Sequence, residues 1–304
     1  MDKIIDAHSH IGNNLYPHGG RIIEKKGITK KRIVDVISIF QFFLNRDFGL
    51  HNHQTKFMKK QLVASEKERN FLATRENMRK SMDDAGVDFT VCLPVSTFFV
   101  PFSDIKSAAE KDPGIIPFTG IDHTKEYDFD ASFAENVAAG AKGLKLHPIL
   151  QRISLTDKRT FNAVEAFAPH KLPVLFHCGI TSYYFGEDEK WEKPEYGAIH
   201  YAQKLVEAFP NVNFIAGHAG AFNIDDVITM LCQYKNVWVD TSLQSPENVK
   251  KLIKTFGPER ILHGSDWPFT SRRISIKIVK KACHNDQSLE RKIFFENAAE
   301  LLKL

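Results

Sequence analysis

Short apolar runs separated by longer amphipathic stretches recur along the chain, and their spacing predicts strands alternating with helices. The runs fall at residues 4–8, 87–95, 115–122, 142–147, 172–177, 212–218, 236–240 and 260–266. Several are apolar at nearly every position, as in VDFTVCLPV and LPVLFH, which suits parallel strands buried on both faces. Helical patterns are predicted between them at 55–85, 103–111, 130–139, 157–168, 196–209, 224–232 and 246–256, and after the last at 274–284 and 288–301. Several close on Gly or Pro, such as Gly86, Gly140, Pro210 and Gly257. Strand after strand, each followed by helix, means parallel pairing through right-handed crossovers. Eight such units in about 250 residues predict an α/β fold, a (β/α)8 TIM barrel. The competing arrangement is an open doubly wound sheet, whose usual GxGxxG is missing after the first strand.

One stretch breaks the rhythm. Residues 13–54 are too many for a plain strand-to-helix loop. They carry Phe40, Phe42, Phe43 and Phe48 and are punctuated by Gly19, Gly20, Gly27 and Gly49. This reads as an insertion after strand 1, partly helical over 30–45, that covers the barrel mouth as a lid. The chain is otherwise expected to be one domain over 1–304.

Composition narrows the class of function. Of 304 residues, 43% are hydrophobic and 26% charged, as in a soluble globular protein with a full core. A net charge of +4, evenly spread, gives no footprint for nucleic acid or an anionic membrane. The N-terminus meets Asp2, Lys3 and Asp6 too early for a signal peptide, and no run is long enough for a membrane span. Cys92, Cys178, Cys232 and Cys283 form no CxxC and read as free thiols of a reducing cytoplasm. Cys178 beside His177 is not a nucleophile–base pair, because neighbours on a strand face opposite sides.

Polar residues gather at the ends of the predicted strands. His8 and His10 leave strand 1 two residues apart, so they share a face. Lys145 and His147 do the same at strand 4, with Leu144 and Leu146 turned to the helices. His177 ends strand 5, His218 strand 6 and Asp266 strand 8. In a barrel these ends converge on one rim, where active sites lie. Several imidazoles and a carboxylate meeting there make the ligand set of a catalytic zinc-type site with an open position. Any one of these histidines is more often a core or capping residue; the set is not. His263 lies an odd number of residues before Asp266 and is expected on the opposite face.

Asp6-Ala7-His8-Ser9-His10, Gly143-Leu144-Lys145-Leu146-His147-Pro148, Leu175-Phe176-His177, Gly217-His218-Ala219-Gly220 and Gly264-Ser265-Asp266-Trp267-Pro268 resemble motifs of the amidohydrolase superfamily. The likeness is to its amidohydrolase-related branch, which holds metal-dependent hydrolases and decarboxylases similar to aminocarboxymuconate semialdehyde decarboxylase. The ending, Phe295-Glu296-Asn297-Ala298-Ala299-Glu300-Leu301-Leu302, is also similar. The resemblance implies that His8, His10, His177 and Asp266 bind one divalent metal ion, zinc first, with manganese or iron as alternatives. It implies that His218 holds water or polarises substrate and that Asp266 is the general base. Lys145 is a bridging carboxylated ligand in binuclear members; here it is read as a buried amine beside a rim carboxylate.

Further candidates for substrate contact are His147, His123 after strand 3, Arg152 after strand 4 and Tyr183 after strand 5. Arg272 and Arg273 could clamp a carboxylate bidentately. Arg46, His51 and His53 sit in the insertion as lid candidates. The expected function is hydrolysis of an ester, lactone or amide of a small molecule. Decarboxylation of a small aromatic or unsaturated acid is the alternative. Gly12-Asn13-Asn14 stands where the comparable decarboxylases often carry a proline, which weighs against it. A metal-free binding protein on the same barrel is a third reading, opposed by the intact ligand set. Apolar positions on the helix exteriors are compatible with a homodimer.

Overall fold

The computed structural model describes residues 3–16, 19–30, 37, 56–95, 100–123 and 128–304. All eight expected strands are present: β1 (Ile5–Ser9), β2 (Phe89–Cys92), β3 (Ile115–Pro117), β4 (Leu144–Leu146), β5 (Val174–His177), β6 (Phe214–Gly217), β7 (Val237–Asp240) and β8 (Ile261–Leu262). Parallel ladders run from β1 through β3 and from β4 through β8 in chain order. Backbone hydrogen bonds close the two seams between these sheets. Between β3 and β4, Thr119 N donates to Gly143 O and Lys145 N to Thr119 O, both at 2.8 Å. Between β8 and β1, Ala7 N donates to His263 O, His10 N to Trp267 O and Asp266 N to His8 O, all at 2.7 Å. The strands thus form the barrel that the sequence predicts.

Helices cover the outside. They are α1 (Lys56–Leu72), α2 (Arg75–Ala85), α3 (Phe102–Lys111), α4 (Phe129–Ala138), α5 (Pro148–Gln151), α6 (Lys158–Phe167), α7 (Ile199–Ala208), α8 (Ile224–Leu231), α9 (Pro246–Phe256), α10 (Arg272–Cys283), α11 (Gln287–Arg291) and α12 (Asn297–Leu302). Strand residues alternate between two cores, as a period of two requires. Val174 and Phe176 of β5, with Phe214 and Ala216 of β6, belong to the outer core with the helices. Leu175 and Ile215 join Ile5, Ala7, Val91, Ile116 and Leu262 inside the barrel, and Ala298, Leu301 and Leu302 of α12 pack onto that inner cluster. Each Val, Leu, Ile or Phe side chain among them, fully buried, contributes about 1.5–3 kcal/mol.

Three expectations need correction. The single helix expected over 55–85 is two, because Thr74 caps α2 with a hydroxyl that accepts from Asn77 N at 3.2 Å. The long helix expected at the C-terminus is interrupted by a π turn over Lys292–Glu296. The eighth run pairs as a strand only at Ile261–Leu262. Past it, Gly264 N bonds Thr241 Oγ1 at 3.2 Å and Ser265 N bonds Asp6 Oδ1 at 2.8 Å, so Asp266 lies on a loop beyond the ladder that side-chain acceptors and the backbone bonds to β1 hold together. Residues 13–16 and 19–30 of the insertion run without helix or strand. Its Phe-rich part, with Arg46, His51 and His53, lies outside the described residues. All four cysteines are unpaired. Among the described residues no helix is long and apolar enough to cross a membrane.

Candidate active site

β1 delivers two histidines, and a bulge aims them. Between the Asp6–Thr90 and Ser9–Cys92 pairs, β1 carries one more residue than β2. Ile5 and Ala7 enter the inner cluster. Asp6 and Ser9 turn the other way: Asp6 forms an ion pair with Arg272, and Ser9 Oγ meets Thr90 Oγ1 at 2.8 Å. His8 and His10 are left together, with ring centroids 5.3 Å apart. Bulges beside active sites commonly re-aim side chains in this way. Two glycines make the room. A Cβ on Gly217 would meet His8 Cε1 at 3.3 Å, and one on Gly264 would meet Asp240 Oδ1 at 2.9 Å and His8 Cβ at 3.1 Å.

Hydrogen bonds fix how the two rings present themselves. His10 Nδ1 lies 2.8 Å from Leu93 O, which can only accept, so Nδ1 carries the proton and Nε2 a lone pair. His8 Nδ1 lies 2.8 Å from Asp240 Oδ2, with the same consequence. His10 Nε2 then faces Asp266 Oδ1 at 3.2 Å, and His8 Nε2 faces the same oxygen at 3.8 Å. His8 Nε2 is buried and has no hydrogen-bond partner. Acceptors this close repel unless a proton or a cation lies between them. His8, His10 and Asp266 offer ligand atoms within 4.8 Å of one another. These residues therefore fit a divalent metal ion.

His218 completes the rim above His8, with ring centroids 4.3 Å apart. Both His218 and Asp266 sit in the left-handed region, at φ 56° and 61°. Strained non-glycine backbone of this kind persists where neighbours over-determine it. Asp240 Oδ2 accepts from His218 N at 3.1 Å, Ser242 Oγ lies 2.7 Å from His218 Nδ1, and Asp266 is tied through its own N to His8 O. His8, His218 and Asp240 also lie close enough to form a ligand group. The 2.8 Å contact from His8 Nδ1 to Asp240 is a hydrogen-bond distance, which makes this trio the support of the first group.

His177 stands beside the ligand groups and belongs to neither. Its Nε2 lies 3.2 Å from Gly179 O and 3.1 Å from Thr181 Oγ1, and Tyr183 OH lies 3.3 Å from its Nδ1. Its ring stacks on His147 at 4.4 Å. Burial holds the imidazoles of His8, His147 and His218 well below their usual range. Burial and the neighbouring Lys145 carry His177 down to about 3. Neutral imidazole is the form that binds a metal. Lys145 is 1% exposed, its Nζ has no hydrogen-bond partner, and burial pushes it down to about 8. Burial raises the Asp266 carboxyl. The Tyr183 phenol is also raised by burial, so it is a neutral donor.

His10, Lys145, His147, Thr181, Tyr183, His218 and Asp266 line a cavity of about 340 Å³, and His8 and His177 lie behind this lining. Leu15, Ile37, Leu62, Val63, Val95, Leu243 and Phe269 supply an apolar wall. Four expected residues lie elsewhere. His123 is not among the lining residues; Arg159 and Asp157 are its charged neighbours. Arg152 caps α5 in the left-handed region and lies 5.6 Å from the Trp191 ring, outside the cavity. Arg272 is buried against Asp6, and Arg273 Nε donates to Asp84 O, so neither is a carboxylate clamp. His263 faces away as expected, against Phe294 at 5.0 Å. Sequence reasoning missed Asp240, Ser242 and Glu66. Asp240 had a signal, since it ends NVWVD at a strand end like His177 does. Glu66 had none, being one charge among many on a helix.

A family model described as Amidohydrolase matches residues 5–304. No curated protein matches the chain. Solved structures share the fold. One is 5-carboxyvanillate decarboxylase from Novosphingobium aromaticivorans, complexed with manganese and 4-hydroxy-3-methoxy-5-nitrobenzoic acid. It is 14% identical at a TM-score of 0.67, covering 100% of this chain and 96% of that one. The 2,6-dihydroxybenzoate decarboxylase from Rhizobium is 14% identical at a TM-score of 0.66, covering 100% and 99%. A probable 2-pyrone-4,6-dicarboxylic acid hydrolase from Acinetobacter baumannii, with citric acid bound, is 14% identical at 0.59, covering 99% and 100%.

Proposed function

The chain belongs to the amidohydrolase family, and from that premise we propose that it is a metal-dependent hydrolase of a small-molecule ester, lactone or amide. The observation that carries this reading is the convergence of two imidazole lone pairs and a carboxylate on one buried point beside a cavity. His8, His10 and Asp266 would hold the ion, and a turn of the His177 ring away from Thr181 would add a fourth ligand. Imidazole and carboxylate donors suit zinc, with manganese and iron as alternatives. When bound, the ion would supply Lewis acidity at a substrate oxygen and acidify water.

The chain's own residues would do the rest. Asp266 is placed to take a proton from attacking water and pass it to the leaving group. His218, held by Ser242 and Asp240, orients that water or the substrate carbonyl. Lys145 meets developing negative charge, and Tyr183, which also lines the cavity, donates a hydrogen bond. The apolar lining excludes water and strengthens these interactions.

The same cavity supports a second reading, non-oxidative decarboxylation, with Asp266 protonating carbon. Lys145, buried beside the cavity without a hydrogen-bond partner, favours it, because its ammonium can seat a substrate carboxylate next to the reacting centre. Metal-loaded protein should be assayed against lactones, esters and amides, and against aromatic acids with carbon dioxide release as the readout. Turnover of the first group, lost on chelation and restored by zinc or manganese, is expected. Turnover confined to the acids would select the second reading. Full activity without metal would refute both.

A further inference from the structure

Helix α1 contributes Leu62, Val63 and Glu66 to the cavity wall, at spacings that put them on one face. Leu62 and Val63 need nothing more than apolar contact. Glu66 does. Its Oε2 is sealed from solvent and has no hydrogen-bond partner, and no ion pair reaches its side chain among the described residues. Its charged neighbours are both acids: Asp266, from the loop beyond β8, and Glu192, from the segment after β5. Glu192 is itself engaged, accepting from Tyr183 N at 2.6 Å. The tyrosines packed nearby, Tyr16 and Tyr184, bring no positive charge. Among the described residues nothing pairs with this carboxyl, and sealing a carboxyl oxygen without a partner costs stability.

Such a group is explained by the ligand that pairs with it. Resting on the reading of this cavity as the substrate site, we propose that Glu66 determines specificity by hydrogen-bonding a hydroxyl or amino group of the substrate that lies against the α1 wall. A hydroxyl both donates and accepts, so it satisfies the carboxyl with or without its proton, and a protonated amine donates to the carboxylate. Burial pushes Glu66 up to about 8, so the free protein carries it largely as the neutral acid at pH 7. Leu62 and Val63 on the same face would contact the carbon skeleton bearing that group. The substrate is thereby specified as a small, mostly apolar molecule with one polar substituent distinct from the reacting one. Lys145 supplies the cation for any acidic group at the cavity floor.

The test uses zinc-loaded protein and four probes: benzoate and its 2-, 3- and 4-hydroxy derivatives, titrated by calorimetry at pH 7. In the wild type, at least one hydroxy isomer should bind about tenfold or more tightly than benzoate, the size of one good hydrogen bond. In Glu66→Leu that ratio should fall to about one. In Glu66→Gln, whose amide still donates and accepts, part of the preference should survive. Benzoate lacks the group and serves as the denominator in every variant. Glu66→Leu should melt no lower than wild type, since it removes an unpaired carboxyl from an apolar wall, and Glu66→Gln keeps the test open if it does not fold. A ratio preserved in Glu66→Leu, or no isomer exceeding benzoate in the wild type, would overturn the assignment of Glu66 alone. Failure of zinc-loaded wild type to bind any probe would overturn the substrate-site reading together with it.

Discussion

Asp240→Asn should damage the site without touching a ligand. Asp240 accepts from His8 Nδ1 at 2.8 Å, His218 N at 3.1 Å, Ser242 N at 2.9 Å and the Ser242 hydroxyl. An amide offers one oxygen, so the donors on one side must face its NH2. Oδ2 receives His8 and His218; Oδ1 receives Ser242 twice. If the amide nitrogen replaces Oδ2, His8 must give up its Nδ1 proton and carry it on Nε2, aimed at Asp266. The lone pair offered to the metal is then lost. Outer-shell changes of this kind cost about 10–100-fold in metal affinity, or about 1.4–2.8 kcal/mol. If the nitrogen replaces Oδ1, the Ser242 N–H is orphaned and the Ser242 hydroxyl must turn to accept from the amide, at about 1–3 kcal/mol for the buried unsatisfied group. The assay is chelator competition for zinc, with circular dichroism to confirm the fold. Either a Kd weaker by about 10–100-fold or a loss of about 1–3 kcal/mol in stability is expected. Wild-type values for both would refute the claim that Asp240 sets the His8 tautomer.

Two further predictions follow from buried charges. Arg272→Met leaves Asp6 ionised and unpaired beneath β1; breaking such a pair costs about 3–5 kcal/mol, so thermal melting should drop by many degrees, and an unchanged melting temperature would contradict the ion pair. Lys145 has a folded-state pKa near 8, below the 10.5 of a free lysine. The folded state therefore binds fewer protons between those values, and the penalty for charging Lys145, full below about 8, is relieved as pH rises through that window. Lys145→Met should accordingly be at least as stable as wild type at pH 7 while binding benzoate more weakly. A wild-type benzoate affinity in that variant would remove Lys145 from the site.

The barrel was legible because parallel strands buried on both faces are written as apolar runs, and helices between them end at glycines and prolines. The convergence of His8, His10, Lys145, His147, His177 and His218 was legible because strand ends share one rim, and Asp266 reaches it from the loop beyond β8. What failed was the aim of side chains on the longer loops. His123 and Arg152 follow strands as expected, but the direction of a loop side chain is not encoded in its position. Arg272 looked free to clamp a substrate carboxylate because its partner, Asp6, lies 266 residues away in the chain. The bulge in β1 and the cap at Thr74 are single-residue departures from periodic patterns, which periodicity cannot show. Glu66 reads as an ordinary solvated charge until the barrel mouth is placed against α1.

The central claim is that His8, His10 and Asp266 form a metal centre. The direct measurement is metal content per chain, by elemental analysis, on protein purified without chelator or a histidine tag, in wild type and Asp266→Ala. About one divalent ion per wild-type chain, with most of it lost in Asp266→Ala, is the expected result for a mononuclear site. No bound metal in the wild type after incubation with zinc, manganese or iron, or equal content in both proteins, would contradict the account.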